Sequence, residues 1–372
     1  MLTNPAERDY FWMAKAIQLA RRGLYTTSPN PRVGCVIVDS TNTLIGEGAH
    51  LQAGTAHAEV HALQQTGQRA AGATAYVTLE PCSHFGRTPP CADALVKAGV
   101  QRVVVAMTDP NPAVSGRGIQ RLKDAGIDVV TGVMTREAAA LNPGFIKRMT
   151  TGKPLVTVKM GISLDGKIAL SNGVSQWITG PEARRDVQRL RARSCAVLTG
   201  AGTVRHDNPS LLVRPEQAMF SEYPLDIIRQ PARVVVEGVS PLPDARQCFD
   251  DGFKTYLVTT DASRTAGDAT PLVVAARDGR PDITALVQKL GDLQFNEVLV
   301  EAGPGLAGAL LAAGEVDELI CYQAPKVLGD KAQSMLILPD YRTLDEAPLL
   351  TLKDTRRLGQ DIRLHYTVAS PA

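Results

Sequence analysis

The chain has 372 residues, of which 44% are hydrophobic and 21% charged, a composition that excludes a disordered chain. It contains no run of about 18 apolar residues. Its first residues lack the basic start and apolar run of a secretion signal, so we expect a cytoplasmic protein without membrane contact. The net charge of +2, without a polybasic run, argues against a nucleic-acid partner. At about 150 residues per domain, the length predicts two domains.

Short helical and strand-like patterns alternate along the first part of the chain. An amphipathic pattern comes first, and a turn-rich loop at 26–31 follows it. Alternation in such short pieces predicts a layered α/β domain. We expect helices at about 7–22, 57–65, 91–98 and 117–125, and strands at 33–38, 44–48, 75–79, 102–107 and 127–130.

A basic, turn-prone stretch at 147–154 is the expected domain boundary, which we place between residues 152 and 153. A second alternating run follows it and predicts a second α/β domain. The two parts show no internal repeat. We expect helices at 181–193, 282–290 and 306–313, and strands at 155–159, 196–199, 233–237, 255–259, 297–301, 318–322 and 362–368.

The most informative residues are His57-Ala58-Glu59 and, further along, Cys82 and Cys91. The general signature of zinc deaminases is H-x-E followed by P-C-x-x-C; its first half fits, but here eight residues separate the cysteines. Two thiolates and one neutral imidazole fill three tetrahedral zinc positions and leave the fourth for water. A carboxylate two residues after the histidine can carry a proton from that water to departing ammonia. The pattern predicts hydrolytic deamination.

Other interpretations of these residues stay open at this point. A His-x-Glu tripeptide is common on helix surfaces, and a structural zinc site could take His84 as its fourth ligand. His61 lies four residues after His57, but a metalloprotease pair needs glutamate directly after the first histidine, so we interpret His61 as a packed or solvated side chain. The remaining cysteines are interpreted as small buried hydrophobic side chains: Cys35, Cys195, Cys248 and Cys321.

A glycine motif, Gly303-x-Gly305-x-x-Gly308, follows the expected strand at 297–301 and opens a helix. Glycines in this context let backbone N–H groups approach a pyrophosphate at the helix N-terminus. No clear acidic ribose partner lies about 20 residues further on, so the motif is not a standard Rossmann fingerprint. By itself it fits a dinucleotide site and a tight packing turn equally well.

Two blocks, residues 57–62 (HAEVHA) and 78–91 (TLEPCSHFGRTPPC), closely resemble the bifunctional deaminase–reductase family of riboflavin biosynthesis. The long gap between the cysteines is typical of this family, and NPxVG at 30–34 and DPNP at 109–112 also match. In the second half the resemblance continues through 163–167 (SLDGK), 175–179 (SQWIT), 202–211 and 300–304 (VEAGP). It therefore covers nearly the whole chain.

For the first half, the resemblance implies a cytidine-deaminase-like three-layer α/β domain over residues 1–152. It implies one Zn²⁺ per chain, held by His57, Cys82 and Cys91, with Glu59 moving the proton. The implied reaction is hydrolytic deamination of 2,5-diamino-6-(5-phosphoribosylamino)pyrimidin-4(3H)-one, a small phosphorylated pyrimidine, at the ring carbon that bears the 2-amino group. The implied substrate contacts are Asn30, His84, Arg87, Asp109 and Asn111.

For the second half, it implies a dihydrofolate-reductase-like α/β domain over residues 153–372. NADPH would reduce the ribosyl side chain to ribityl, giving 5-amino-6-(5-phosphoribitylamino)uracil, and we expect a homo-oligomer. The implied catalytic residues are Lys159, Asp207 and Glu301. The implied substrate contacts are Ser175, Arg191, Leu211, Arg214 and Glu301, with the arginines on the phosphate. The implied cofactor contacts are Gly161, Trp177, Thr203, Asp207, Gly303, Pro304, Gly305, Leu306, Ala307, Gly308 and Ala309.

One departure from the family pattern follows the expected strand at 233–237. This chain has Glu237-Gly238 there, where relatives tend to carry Asp-Ser. A serine hydroxyl that could contact the cofactor is missing, and a glutamate would repel a 2′-phosphate. The sequence therefore leaves the choice between NADP and NAD open.

Two functions of other classes are alternatives to the deaminase–reductase interpretation. A nucleic-acid base editor would apply the same zinc chemistry to a flipped base, but the near-neutral charge and the long second domain argue against it. A structural zinc protein with a degenerate enzyme fold would not need the Glu59 carboxylate. We therefore favour the two-step enzyme.

Overall fold

The computed structural model describes residues 4–83, 90–112 and 114–369. The chain divides into two compact units. The N-terminal unit comprises Met1–Gly152 and Glu222–Ile227, and the C-terminal unit comprises Lys153–Ser221 and Ile228–Ala372. Each unit is built around its own main sheet.

In the described residues, the N-terminal unit contains five strands and six helices. The strands are β1 (Gly34–Val38), β2 (Leu44–Ala49), β3 (Thr74–Val77), β4 (Arg102–Val105) and β5 (Asp128–Thr131). The helices are α1 (Pro5–Ala20), α2 (Ala58–Thr66), α3 (Cys91–Lys97), α4 (Arg117–Asp124), α5 (Thr135–Ala139) and α6 (Pro143–Thr151), with 3-10 turns at Arg21–Gly23 and Gly67–Ala70. All predicted elements of this part are present, with ends shifted by at most two residues.

The sheet of this unit has the strand order β2-β1-β3-β4-β5. β1 pairs antiparallel with β2 and β3, whereas β3, β4 and β5 run parallel. Cys35 and Ile37 pack with residues of α2, α3 and α4, and the alternate residues Val36 and Val38 pack with α1. Because successive side chains of a strand point to opposite faces, both faces of the sheet are covered and the unit has three layers.

The stretch at 147–154 is not a turn over its whole length. Its first five residues belong to α6, which ends at Thr151 because Gly152 takes the left-handed conformation with a φ of 76°. The turn was predicted from the basic and polar side chains of this stretch. Phe145 and Met149, which are four residues apart, nevertheless both pack against the core of the unit. Burial of that apolar stripe outweighs the local composition.

The C-terminal unit contains the remaining elements. Its strands are β6 (Leu155–Ser163), β7 (Lys167–Ala169), β8 (Ala196–Gly200), β9 (Ala232–Val236), β10 (Thr255–Thr259), β11 (Thr270–Val273), β12 (Ala276–Arg277), β13 (Arg280–Pro281), β14 (Glu297–Val300), β15 (Glu318–Ala324), β16 (Gln333–Ser334), β17 (Leu350–Leu358) and β18 (Asp361–Val368). Its helices are α7 (Pro181–Arg193), α8 (Ala201–Asp207), α9 (Pro215–Ala218), α10 (Ile283–Asp292) and α11 (Pro304–Ala312), with a 3-10 turn at Leu344–Glu346.

The main sheet of this unit has the strand order β11-β10-β9-β8-β14-β6-β15-β18-β17. The strands from β11 to β15 in that order are parallel, and β18 and β17 continue the sheet antiparallel. After β8 the chain moves toward one edge of the sheet, and after β14 it moves toward the other. The loops after β8 and β14 therefore leave neighbouring strands in opposite directions, the switch point at which open α/β sheets bind ligands.

The long edge strand β17 was not predicted. Lys353, Asp354, Arg356 and Arg357 give it a polar sequence, and most of its residues are exposed because only one neighbour pairs with it. Such charged edges discourage pairing with other chains but erase the apolar pattern of a strand. The four cysteines interpreted as small hydrophobic side chains are buried, as expected. In the described ranges, no helix has the length and apolar character that a membrane span requires.

Candidate active sites

Three ligand-type side chains of the N-terminal unit converge on one point. His57 Nδ1 lies 3.3 Å from Cys91 Sγ and 3.7 Å from Cys82 Sγ, and all three ligand atoms lie within 4.8 Å of one another. Tetrahedral zinc, with Zn–S of about 2.3 Å and Zn–N of about 2.1 Å, would place neighbouring ligand atoms roughly 3.6 Å apart. The donor set and its spacing therefore fit zinc. His61 does not join the cluster.

Two of the ligands lie where a helix begins, and the third lies in the segment between β3 and α3. His57 directly precedes α2, Cys91 is the first residue of α3, and Cys82 follows β3. The backbone N–H of Cys91 donates to Cys82 Sγ at 3.3 Å. Hydrogen bonding with Cys91, and then with His57, outweighs burial and lowers the pKa of Cys82 to about 4. This shift favours the thiolate form of Cys82, which is the form that binds metal.

Glu59 lies in the first turn of α2 and is buried. Burial, and then the charge of Cys82, raise the pKa of Glu59 to about 7. Its Oε2 has no hydrogen-bond partner in the described part of the chain. A buried carboxyl group with an available oxygen next to the ligand cluster can take up and release a proton.

Asn30 is held by a histidine that the sequence analysis did not single out. Asn30 Nδ2 lies 3.1 Å from His50 Nε2, and His50 Nδ1 lies 3.1 Å from the carbonyl oxygen of Ala56. A carbonyl only accepts, so Nδ1 carries the proton and Nε2 accepts from Asn30. Burial lowers the pKa of His50 to about 4 and keeps the ring neutral. The His50 ring contacts the His57 ring edge to face, which places Asn30 near the ligand cluster.

The other predicted deaminase contacts divide into two groups. His84 and Arg87 lie outside the described residues. Asp109 and Asn111 follow β4, and the N–H of Asn111 donates to Asp109 Oδ1 at 2.8 Å. Because β3 and β4 are parallel neighbours, this turn leaves the same edge of the sheet as the segment that carries Cys82.

In the C-terminal unit, Glu301 is the centre of a charged cluster. Arg191 donates to both of its carboxylate oxygens, at 2.5 and 3.1 Å, and Lys159 Nζ lies 3.3 Å from Oε2. The third nitrogen of Arg191 donates to the carbonyl oxygen of Leu212 at 2.9 Å, so in this structure the guanidinium contacts protein acceptors through every nitrogen. Lys159 lies on β6 and Glu301 follows β14, the neighbouring strand.

The protonation states of this cluster are unequal. Burial acts to raise the pKa of Glu301, but the charges of Arg191 and Lys159 outweigh it and lower the pKa to about 2. Glu301 is therefore an anion and cannot donate a proton at neutral pH. The other side chain of the cluster that reaches Glu301 Oε2 is Lys159, through its Nζ at 3.3 Å.

Asp207 does not join this cluster. It is exposed, and it makes no hydrogen bond or ion pair with Lys159, Arg191 or Glu301. Asp207 is the last residue of α8, which ends there because Asn208 takes the left-handed conformation with a φ of 41°.

The remaining predicted contacts of this unit differ in exposure. Trp177 is 60% exposed, and the guanidinium carbon of Arg184 lies 4.6 Å from the centre of its ring. Leu211 is buried with a φ of 58°, so its side chain belongs to the core. Arg214 is exposed, and the other predicted contacts are half-buried: Gly161, Ser175 and Thr203.

The glycine motif has an open part and a packed part. A Cβ at Gly303 or Gly305 would meet no atom within 4 Å, whereas a Cβ at Gly308 would lie 1.9 Å from the carbonyl oxygen of Ile337. Gly303 directly precedes α11, which starts at the switch point of the sheet. The space beside Gly303 and Gly305 fits the pyrophosphate of a dinucleotide. Gly308 instead lets α11 pack against the backbone at Ile337, and the side chains of Ala307, Leu310 and Leu311 join the hydrophobic core of the unit.

Glu237 is not an uncompensated charge. Its carboxylate accepts from Arg264 Nε at 3.0 and 3.3 Å and from the N–H of Leu242 at 2.8 Å. Arg264 therefore pairs with the carboxylate that was expected to repel a 2′-phosphate, and its guanidinium also contacts the exposed Asp244 at 2.7 Å. A Cβ at Gly238 would meet no atom within 4 Å, so the backbone after β9 also borders open space.

Two family models match the chain in its two halves. The cytidine and deoxycytidylate deaminase zinc-binding region matches residues 6–107, and the RibD C-terminal domain matches residues 154–364. The riboflavin biosynthesis protein RibD of Escherichia coli is 50% identical over 97% of this chain and 100% of its own length. The chain belongs to the RibD family. The Haemophilus influenzae RibD is 44% identical over 97% of this chain and 98% of its own length.

Solved RibD structures share the fold along nearly the whole chain. Acinetobacter baumannii RibD superposes with a TM-score of 0.90 at 44% identity, covering 98% of this chain and 100% of the other. A Thermotoga maritima diaminohydroxyphosphoribosylaminopyrimidine deaminase/5-amino-6-(5-phosphoribosylamino)uracil reductase gives 0.85 at 29% identity, with coverage of 98% and 100%. The predicted cytidine-deaminase-like and reductase folds are confirmed. This RibD-family chain is a zinc-dependent deaminase and an NADPH-dependent reductase of riboflavin biosynthesis.

Three residues of this RibD-family chain have defined contacts at the sites but were missed from the sequence. They are His50, which holds Asn30; Arg264, which pairs with Glu237; and Glu80, two residues before Cys82. The position of Glu80 inside the LEPC run was a usable signal. Nothing local to His50 or Arg264 indicated their partners, which lie 20 and 27 residues away.

Proposed function

We propose that residues 1–152 carry the deaminase and residues 153–372 the reductase. The first reaction converts 2,5-diamino-6-(5-phosphoribosylamino)pyrimidin-4(3H)-one and water into 5-amino-6-(5-phosphoribosylamino)uracil and ammonia. The second consumes NADPH and one proton and gives 5-amino-6-(5-phosphoribitylamino)uracil. The observation that carries the proposal is the convergence of one imidazole and two thiols on one point beside the buried Glu59.

In the deaminase, His57, Cys82 and Cys91 would hold zinc, which when bound supplies a Lewis acid that lowers the pKa of water. Glu59 accepts a proton from the attacking water through its available Oε2. The C2–O bond forms while the electron pair of the ring C=N bond moves onto nitrogen, Glu59 delivers the proton to the 2-amino nitrogen, and the C2–N bond breaks to release ammonia. The remaining O–H proton passes to the ring nitrogen, which leaves the carbonyl group of the uracil. The side-chain amide of Asn30, held in one orientation, faces the ring and fixes its position.

In the reductase, Lys159 donates a proton to the ribose ring oxygen as the C1′–O4′ bond breaks. The C1′=N group left behind carries positive charge, which the anionic Glu301 stabilises in a buried setting. NADPH, when bound, supplies the hydride that C1′ accepts. Arg191 keeps Glu301 ionised and in place, and the open backbone at Gly303 leaves room for the pyrophosphate.

One assay tests both halves of the proposal. Purified protein receives the diaminopyrimidinone phosphate, and ammonia and NADPH are followed separately. We expect one ammonia and one NADPH per substrate, ammonia release without NADPH, and one zinc per chain by elemental analysis. Ammonia release from tRNA in place of the free nucleotide, or protein that lacks stoichiometric zinc, would overturn the proposal.

Arg264→Gln tests whether the pairing of Arg264 with Glu237 is needed for the binding of NADPH. Without the guanidinium, the Glu237 carboxylate faces the site uncompensated, so the Kd of NADPH should rise about fivefold more than the Kd of NADH, which has no 2′-phosphate. Fluorescence titration with each coenzyme measures both constants. The double variant Glu237→Gln/Arg264→Gln removes both charges and should restore NADPH binding. An equal loss for both coenzymes in the single variant would contradict this role.

We also propose that the enzyme acts in the cytoplasm as a homo-oligomer. The six cysteines, all within the described ranges, form no disulfide, which suits a reducing compartment. Size-exclusion chromatography with light scattering measures the oligomeric state. A monomer at micromolar concentration would contradict the proposed homo-oligomer.

A further inference from the structure

Glu80 accepts an unusual number of backbone hydrogen bonds for one carboxylate. It is buried, and its Oε2 accepts from the N–H groups of Asp109 and Gly116, both at 3.0 Å. Its Oε1 accepts from Gly118 at 2.8 Å and from Ile119 at 3.2 Å. All four donors lie between residues 109 and 119, which are 29 to 39 residues further along the chain.

Two of these donors belong to the first turn of α4. The residue before α4 is Gly116, which has a φ of 78° and no side chain that could cap the helix. The first turn also contains no acidic residue. The first N–H groups of a helix need external acceptors, and a negative charge at that end is favourable. Glu80 therefore supplies from another segment the cap that α4 lacks locally.

The other contacts fix the turn that follows β4. The N–H of Asp109 donates to Glu80, and the N–H of Glu80 donates to the carbonyl oxygen of Met107 at 3.0 Å. Asp109 in turn accepts the N–H of Asn111. Since Glu80 lies two residues before Cys82, one side chain ties the turn at 109–111 to the segment that carries a metal ligand.

The chemistry of Glu80 suits this task. An ionised carboxylate is an acceptor only, with about four lone-pair sites for four N–H donors. A glutamine would offer one oxygen and would direct its NH₂ group at two backbone N–H groups. The four contacts therefore require a carboxylate and not merely a polar side chain of the same size.

We propose that Glu80 is a positioning residue of the deaminase, which holds the turn at 109–111 in the geometry where Asp109 and Asn111 meet the pyrimidine substrate. This inference rests on the function proposed for the N-terminal unit. Glu80 acts through these two residues and not on the metal, because within the described ranges its carboxylate accepts from N–H groups of 109–119 and it is not one of the three ligand-type side chains.

Glu80→Gln in the full-length zinc-loaded enzyme tests the inference. The KM for deamination should rise about tenfold, because two hydrogen bonds to a charged acceptor are lost at the turn or at α4. The kcat for ammonia release should stay within about twofold of wild type, and the zinc content and NADPH oxidation should not change. Hydrogen exchange followed by mass spectrometry should show faster exchange in peptides that cover 109–119, with the strands β3 and β4 unaffected.

Two further variants complete the test. Glu47→Gln changes a carboxylate on β2 of the same unit, outside these contacts, and should leave KM and exchange unchanged. Glu80→Asp keeps the charge on a shorter side chain and should recover part of the substrate affinity, and it serves in place of Glu80→Gln should that variant not fold. Zinc loss, a fall in kcat without a change in KM, or wild-type exchange over 109–119 would overturn the inference. Should the wild-type enzyme release no ammonia from the pyrimidine, the proposed function fails, while the exchange data still decide whether Glu80 holds the segment.

Discussion

Replacing Glu59 by glutamine is expected to lower the kcat for ammonia release by about 10²–10⁴-fold while the protein keeps one zinc per chain. The amide has the shape of the carboxyl group but cannot accept the proton of the attacking water. Glu59 lies outside the three-atom ligand cluster, so zinc should stay bound. Ammonia release and elemental zinc analysis on the same preparation measure the two effects.

Cys82→Ser provides the comparison for this result. It removes a thiolate that lies 3.7 Å from His57 Nδ1, so zinc and ammonia release should be lost together. NADPH oxidation with the deaminated substrate should continue in both variants. Normal deamination by Glu59→Gln would remove Glu59 from the mechanism, and zinc loss in that variant would make it part of the metal site instead.

Lys159→Met should lower the rate of NADPH oxidation by about 10²–10⁴-fold and leave ammonia release unchanged. Methionine keeps the unbranched apolar stem but has no proton to donate to the ring oxygen. The neighbouring Glu301 remains paired with Arg191, so the buried carboxylate keeps a partner and the fold should persist. The absorbance of NADPH, followed with 5-amino-6-(5-phosphoribosylamino)uracil as substrate, gives the rate.

Lys153→Met is the matched control for this change. Lys153 also contacts a buried carboxylate, that of Glu315 at 2.7 Å, but it lies outside the Glu301 cluster. NADPH oxidation should therefore stay at the wild-type rate. An unchanged rate in Lys159→Met, or the loss of both reactions together, would contradict two separate sites.

The metal cluster shows what a sequence can reveal about a site. His57, Cys82 and Cys91 come from separate elements, yet their residue types and order indicated one metal centre before their distances were known. Helices and strands with a clear apolar period were also predicted within two residues at their ends in the N-terminal unit. In contrast, α6 and β17 were misjudged. Basic side chains obscured the buried stripe of α6, whereas the exposed, charged sequence of β17 has no apolar period that would mark it as a strand.

The sequence was least informative about contacts that join distant segments through the backbone. The partners of Glu80 are N–H groups, which every residue except proline has, so no side-chain pattern marks them. The role of Arg264 likewise depends on which carboxylate the fold brings to it. The sequence therefore predicted a repulsive Glu237, and in the folded chain this carboxylate is paired with Arg264, which also contacts Asp244.

The contact between Gly308 and the backbone at Ile337 means that the glycines of one short motif are required for two different reasons. At 303 and 305 a larger side chain would occupy space needed by the coenzyme, whereas at 308 it would clash with the backbone of the protein itself. A mutational scan that measured activity alone would find all three glycines intolerant of substitution. It would then assign three coenzyme contacts, although only Gly303 and Gly305 border open space. Measuring both melting temperature and coenzyme affinity distinguishes the two reasons, because substitution of Gly308 should lower the melting temperature and substitution of Gly303 or Gly305 should lower the affinity.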